Sequence, residues 1–246
     1  MTRGLPMRKV VLPVAGTDET YTLRPSKIIA LGLNYREHIA ENITAEIVRS
    51  QELPEEPILF NKTPNVLIGP EDAIVLPAMA ARYATPEDPE RTDYEAELAV
   101  IIGRECRNIS PEEAPGVIFG YTCFNDVSQR NIQKRDKSGW WRGKSFDTFG
   151  PIGPVIVPAR EIPDPHALRI RCRLNGRVVQ DGSTGDMIFR IPEIISFISR
   201  HMTLEEGDII ATGTPQGVGP LHPGDVVEVE IEGIGVLRNP VVAETP

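Results

Sequence analysis

A mainly β, α+β domain is what the sequence predicts, on three observations. Prolines (23) and glycines (21) interrupt the 246 residues so often that ordered segments must be short, as in strands joined by turns. Many of those segments alternate or run apolar over strand-length windows, and only a few stretches carry a helical period. The segment Leu168-Arg169-Ile170-Arg171-Cys172-Arg173-Leu174 alternates strictly, meets Asn175-Gly176 and resumes as Arg177-Val178-Val179-Gln180, a hairpin signature. Hydrophobic residues make up 40% of the chain, enough for a sizeable core in one large β-rich domain.

Residues 1–26 predict a short N-terminal hairpin extension, in which residues 9–12 and 20–23 flank the turn-like Gly16-Thr17-Asp18. It is too short to fold alone, so residues 27–246 form the main domain. Residues 27–33 are an apolar strand. Asn34 is placed to cap a helix over residues 35–50, with Glu37 completing a variant capping box and Ile39, Ile43 and Ile47 on one stripe. His38 and Glu41 lie three apart and meet on that helix surface. They are either a solvated pair or an imidazole whose tautomer and basicity a carboxylate fixes for activating water.

Residues 56–65 give a strand ending in Lys62 among turn formers, where a lysine ordinarily faces solvent. A polar, proline-rich loop (82–93) then leads into a strand over residues 93–103. Side chains two apart on a strand share a face, so Glu95 and Glu97 point together, while the second half is apolar on both faces. Two readings stand: the strand starts in water, or the paired carboxylates need a cation to offset repulsion and lost hydration. The strand over residues 120–127 adds Asp126. Three carboxylates from two strand ends suit Mg²⁺, Mn²⁺ or Ca²⁺. Zinc suits them less, since no cysteine or histidine stands at zinc-like spacing beside them. Three protein ligands would leave positions for water and substrate.

Residues 110–114 predict a short capped helix with Pro111 at its first position. Residues 128–137 predict a polar helix with Arg130 and Gln133 on one side. Residues 140–151 read as an ordered loop in which aromatics flank Lys144; burial there would lower a lysine's pKa and neighbouring carboxylates would oppose that. Residues 191–201 have helical period with Pro192 near the start, and residues 208–211 are a strand entering the glycine-rich stretch 212–219. Backbone N–H groups of such a loop can face an anion, but the lysine of a phosphate loop is missing. Residues 226–231 alternate and close the sheet, with Glu228 and Glu230 on its wet face.

A formal charge of −9 without a basic stripe argues against a nucleic-acid partner. Apolar runs fall short of a membrane span, and Pro6, Arg8 and Lys9 break any secretory h-region in residues 1–10. Cys106, Cys123 and Cys172 have no paired spacing, the pattern of a reduced, cytoplasmic chain.

Several pieces carry a family resemblance when taken in order and spacing. They are Gly32-Leu33-Asn34-Tyr35 with His38 and Glu41, Phe60-Asn61-Lys62, Tyr94-Glu95-Ala96-Glu97-Leu98, Asn125-Asp126, Lys144-Ser145-Phe146, and Thr212-Gly213-Thr214-Pro215 with Gly217-Val218-Gly219. Together they resemble the fumarylacetoacetate hydrolase family over residues 27–240, nearest its small acylpyruvase and oxaloacetate decarboxylase-like members. The resemblance implies a mixed β-sandwich roll of the family's C-terminal domain type, a lid helix carrying His38 and Glu41, and a homodimer. It implies Mg²⁺ or Mn²⁺ (Ca²⁺ as a crystallisation substitute) on Glu95, Glu97 and Asp126. Catalytic roles fall to His38, Glu41 and Lys144, and binding of a small 2-oxo acid to Lys62, Arg130, Gln133 and Thr214. The expected activity is metal-dependent hydrolysis of a C–C bond in acylpyruvate-type 3-ketoacids through a metal-bound enolate. Alternatives are isomerisation or decarboxylation of 2-hydroxyhepta-2,4-diene-1,7-dioate or 5-oxopent-3-ene-1,2,5-tricarboxylate type substrates, and oxaloacetate decarboxylation. Outside enzymes, the alternative is a metal-dependent protein that binds a small acid. The chain departs from the family pattern in a longer loop at 82–93 and in a shorter N-terminal region than members with a full leading domain.

Overall fold

A seven-stranded sheet carries the acidic residues. Its strands run in the order Ile58–Lys62, Ile28–Gly32, Ile209–Ala211, Ala96–Ile102, Ile118–Asn125, Gly150–Pro158 and Leu67–Ile68. Ala96–Ile102 is buried along its whole length and lies antiparallel to both neighbours, which is why its sequence is apolar on both faces. Leu98, Ile101 and Ile102 are fully buried, and each such side chain contributes about 1.5–3 kcal/mol by leaving water. The computed structural model describes residues 9–36, 53–137 and 139–245. The helix expected over 35–50 lies outside them beyond Arg36, and His38 and Glu41 with it.

A five-stranded sheet packs across this one, in the order Arg177–Ser183, Arg169–Leu174, Val226–Ile231, Gly235–Ala243 and Ile74–Leu76. Its inward residues Ile170, Cys172, Val227, Val229 and Leu237 share one core with Leu98, Val100 and Cys123 of the first sheet. The result is the mainly β sandwich the sequence predicted. A third, three-stranded sheet orders Ser128–Gln129, Thr92–Tyr94 and Gly219–Pro220 at the edge of the acidic cluster. The N-terminal hairpin forms from Val11–Pro13 and Thr20–Thr22. Leu12 joins the main core and Val14 bridges to Ile156, so the hairpin is seated on the sandwich.

Local sequence explains several boundaries. Asn175 and Gly176 turn the hairpin at φ 52 and 77, the left-handed pair a tight two-residue turn requires. Ile191–His201 is a helix with Pro192 in its first turn and Ile191, Ile194, Ile195 and Ile198 on its buried stripe.

Other expectations need correction. The strand expected over residues 93–103 is two strands, Thr92–Tyr94 and Ala96–Ile102, which part at Glu95 and join different sheets. Residues 110–114 form a turn, and the 3₁₀ helix begins only at Ala114. The loop expected over 140–151 contains the helix Trp141–Lys144 and the start of the strand Gly150–Pro158. That strand holds three prolines, and its pairing with Ile118–Asn125 shifts register between Gly153 and Val157 to accommodate them. Val226–Ile231 does not close its sheet, because Gly235–Ala243 and Ile74–Leu76 lie beyond it. Asn34 directs its carboxamide to Phe189 and to the Thr212 carbonyl, and the helix it was expected to cap lies outside the described residues beyond Arg36. Among the described residues no helix is long and apolar enough to cross a membrane.

The helix Ile191–His201 begins on a titratable group. The Ile191 N–H donates to Nε2 of His166 at 3.0 Å, so that nitrogen must carry no proton. Burial, with Arg190 beside it, pulls the imidazole below its ordinary pKa of 6.5. The unfolded chain therefore holds the extra proton first as pH falls, and the stability this contact gives is present above about pH 6.5 and lost as pH drops through the folded pKa. Unfolding midpoints in urea are expected to fall between pH 7 and 5, with a shallower fall in His166→Gln; an identical slope in the variant removes His166 from the effect.

Candidate metal centre

The break between two strands is what gathers the acids. The Glu95 N–H donates to Oδ1 of Asn125 at 2.9 Å, and the Asp126 N–H donates to the Glu95 carbonyl at 2.9 Å. These cross-links lock the end of Ile118–Asn125 against the start of Ala96–Ile102. Glu95, Glu97 and Asp126 are 5%, 1% and 0% exposed. One oxygen from each lies within 4.8 Å of the others, and no second group of three carboxylate, thiol or imidazole side chains is so placed among the described residues.

Such a cluster cannot persist in a low-dielectric interior without compensation. Lys144 Nζ sits 2.7 Å from Glu95 Oε2 and 2.6 Å from Asp126 Oδ2. Lys62 Nζ is 2.6 Å from Asp126 Oδ1 and also donates to the carbonyls of Val127 and Lys144. Arg130 Nη2 is 2.6 Å from Glu95 Oε1. Burial pulls Lys144 down, but Asp126 and Glu95 together outweigh it and its pKa stands above the ordinary value. For Lys62, burial outweighs the help from Asp126, and its pKa falls. The Lys144 expectation is thus resolved in favour of the carboxylates.

Glu97 is treated differently. Its Oε2 accepts the Gly213 N–H at 2.8 Å, whereas Oε1 is buried with no hydrogen-bond partner. Burial, then Asp126 and Glu95, raise its carboxyl well above the usual range. The Tyr35 hydroxyl, held up by burial and by Glu97, is likewise buried without a partner. An all-oxygen donor set with one orphaned carboxylate oxygen fits a hard divalent ion such as Mg²⁺ or Mn²⁺.

The other expected residues surround this cluster. The helix Arg130–Arg135 is capped by Gln129, whose Oε1 accepts from the Ile132 N–H. Arg130 on that helix also bonds Gln133 Oε1 at 2.9 Å. The 82–93 loop is docked on the same helix: Asn131 Nδ2 donates to the carbonyls of Asp88 and Pro89, and Asn131 Oδ1 accepts from the Arg91 N–H. Thr214 follows Gly213, and its hydroxyl oxygen accepts from Gln180 Nε2 at 2.9 Å. Aromatics do flank Lys144: Nζ lies 4.8 Å from the Phe60 ring centroid, and Trp140 packs edge-on against Phe60.

Two contributors escaped the sequence reading. Gln180 ties Thr214 to the metal strand, since its Oε1 accepts from the Ala96 N–H at 3.0 Å; a single polar residue facing inward on an alternating strand was the available signal. Asp93, fully buried, meets Arg91 and Arg130, and its place two residues before Glu95 put it on the same predicted face. A separate cavity of about 860 Å³, lined by Val14, Tyr121, Ile162, His166 and Arg190 among others, includes none of the three acids.

Fold and site together define a β-sandwich whose strand ends converge on a buried triad of carboxylates. The chain belongs to the fumarylacetoacetate hydrolase family: residues 27–242 match the fumarylacetoacetate (FAA) hydrolase C-terminal domain. It is similar to the mitochondrial oxaloacetate tautomerase fahd2 of Xenopus laevis, 42% identical over 226 residues, spanning 89% of this chain and 66% of that protein. Among solved structures it resembles the 5-carboxymethyl-2-hydroxymuconate delta-isomerase of Mycobacterium smegmatis, with TM-score 0.78 and 38% identity over 94% of this chain and 87% of that one. It also resembles a maleylpyruvate hydrolase from Sphingobium sp. SYK-6 in complex with manganese(II) ion and pyruvate, with TM-score 0.73 and 35% identity over 92% and 75% of the two chains. The family thus holds tautomerase, isomerase and hydrolase members, and hydrolysis is one of three reactions among these relatives.

Proposed function

We propose that this protein is a divalent-metal-dependent enzyme acting on a short 2-oxo acid, and that it shifts protons on that acid, as a tautomerase or isomerase. The observation that carries this reading is the buried Glu95–Glu97–Asp126 cluster with the Lys144 ammonium set into it. A bound divalent ion would supply Lewis-acid polarisation of the 2-oxo group. Lys144 has three N–H bonds and directs two at Glu95 and Asp126, which leaves one for the substrate oxygen as negative charge grows there. The Thr214 hydroxyl accepts from Gln180, so its own proton is free for the substrate carboxylate. Phe60 and Trp140 keep water from the ammonium. His38, with Glu41 as its partner in this proposal, takes the proton from C3; delivery of a proton to the 2-oxygen gives the enol tautomer, and delivery to a carbon further along the chain gives the isomer.

Hydrolysis is the second reading. It is supported by the His38–Glu41 spacing, which also suits a base acting on water, and by the likeness to maleylpyruvate hydrolase. In that case His38 removes a proton from water and the resulting hydroxide adds to the distal carbonyl. The bond from that carbon to C3 then breaks to release a carboxylic acid and the enolate of pyruvate, which takes a proton at C3 from His38. A homodimer belongs to the same proposal, with sedimentation as its check.

A substrate panel with Mn²⁺ and Mg²⁺ tests the proposal: oxaloacetate followed as enol and as CO₂, 2-hydroxyhepta-2,4-diene-1,7-dioate, and acetylpyruvate. Proton-shift turnover is expected to exceed acetylpyruvate cleavage by about tenfold or more in kcat/KM, equivalent to about 1.4 kcal/mol in the barrier. Dominant acetylpyruvate cleavage transfers the assignment to a hydrolase, dominant CO₂ release to a decarboxylase, and binding without turnover of any member to a small-acid binding protein.

A further inference from the structure

Arg130 is held on three edges. Its Nε meets Asp93 Oδ2 at 2.9 Å, Nη1 meets Gln133 Oε1 at 2.9 Å and Nη2 meets Glu95 Oε1 at 2.6 Å. A guanidinium is a rigid plane, so fixing one edge fixes the direction of the other two. Asp93 is the charged group that does so. It is fully buried on the strand Thr92–Tyr94, which is flanked on both sides by strands of the three-stranded sheet. Its other oxygen is spoken for by Arg91 Nε at 2.7 Å. The chain beneath is also tied, since the Arg130 N–H donates to the Arg91 carbonyl at 2.8 Å.

The consequence falls on Glu95. With Oε1 bound to Arg130, Oε2 is the oxygen that shares the Lys144 ammonium with Asp126 Oδ2. Glu97 has a similar division, with Oε2 on the Gly213 N–H and Oε1 orphaned. Each glutamate thus has one oxygen fixed by a donor outside the shared ammonium, Arg130 for Glu95 and the Gly213 N–H for Glu97. We infer that Asp93 is a positioning residue of the metal centre, acting through Arg130 to hold Glu95 Oε1 and so to orient the carboxylate with Oε2 toward Asp126, one oxygen per glutamate, which keeps coordination positions for a bidentate 2-oxo acid. This inference rests on the metal reading above.

Calorimetric titration of Mn²⁺ into chelator-stripped protein tests it without reference to turnover. Asp93→Asn keeps the side-chain volume and is expected to weaken Mn²⁺ binding about 10–100-fold, the usual cost of losing a group that orients a metal ligand. Arg130→Gln is expected to lose a similar amount. In the Arg130→Gln background Asp93→Asn should cost no more than about twofold further, because residues acting through one another are not additive. Arg91→Ala, which removes the partially exposed partner of Asp93, should bind within about twofold of wild type, since it leaves the Asp93–Arg130 contact in place. Should Asp93→Asn fail to fold, Asp93→Glu is carried through the same cycle, and its loss must likewise vanish beside Arg130→Gln. Wild-type affinity in the Asp93 variants, or a loss that adds fully to that of Arg130→Gln, overturns the inference. Absence of Mn²⁺ binding by the wild type instead overturns the metal reading itself.

Discussion

Glu97→Gln is expected to abolish Mn²⁺ binding while leaving the metal-free fold at least as stable as wild type. The two halves of that result have separate causes. Glu97 Oε1 is buried without a hydrogen-bond partner, and unlike Asp126 Oδ1, which has Lys62 beside it, it has no ion-pair contact, so the loss of its charge removes the donor an ion needs. The same charge, in the metal-free chain, is opposed by burial and by Asp126 and Glu95. A carboxamide keeps the shape and can still accept from the Gly213 N–H, yet relieves the repulsion. Wild-type protein at an Mn²⁺ concentration of about 100 times Kd gains about 2.7 kcal/mol of stability by mass action. The variant should show none of that shift in thermal unfolding, and no heat of binding. A wild-type shift in Glu97→Gln would remove this residue from the ligand set, and a large fall in metal-free stability would mean its charge is structural.

The members of the acidic cluster were legible in the sequence from local rules, the two-residue spacing of Glu95 and Glu97 and the place of Asp126 at the end of a neighbouring apolar run, although the break at Glu95 that gathers them was not. The helix Ile191–His201 and the Asn175-Gly176 hairpin were legible for the same reason, and both formed where the pattern placed them. What was not legible depends on partners far along the chain. The break at Glu95 is fixed by the Asn125 carboxamide, 30 residues away. Lys62, at a position where a lysine ordinarily faces water, is instead fully buried on Asp126, and no window of sequence contains both. The glycine-rich loop after Ala211 does present an N–H to an anion, but the anion is Glu97 of the chain itself. Prolines hid the strand Gly150–Pro158, since the register shift that tolerates them is a property of the paired strand.

Lys144→Met tests the other half of the charge balance and is expected to have the largest effect on turnover. In the metal-free chain, Lys144 is the donor that Glu95 Oε2 and Asp126 Oδ2 share; methionine fills a similar volume but leaves both oxygens in a buried site without it. Removing one partner from a buried ion pair costs about 3–5 kcal/mol. The lower end is expected here, because Arg130 still holds Glu95 Oε1 and Lys62 still holds Asp126 Oδ1. Mn²⁺ should restore part of that loss, since a divalent ion brings positive charge to the same two oxygens. Turnover should not return with it. The third N–H of Lys144 is the donor assigned to the substrate oxygen, and deleting one such preorganised donor lowers kcat by about 10²–10³-fold. Lys144→Arg, which keeps the charge, separates the two roles: its metal-free stability should lie nearer wild type while kcat stays low, because a planar fork cannot reproduce the three directions of an ammonium. Thermal unfolding with and without Mn²⁺, alongside kcat for all three proteins, reads both effects. If Lys144→Met keeps kcat within a few-fold of wild type when saturated with Mn²⁺, the ammonium serves only to neutralise the empty cluster and takes no part in the chemistry.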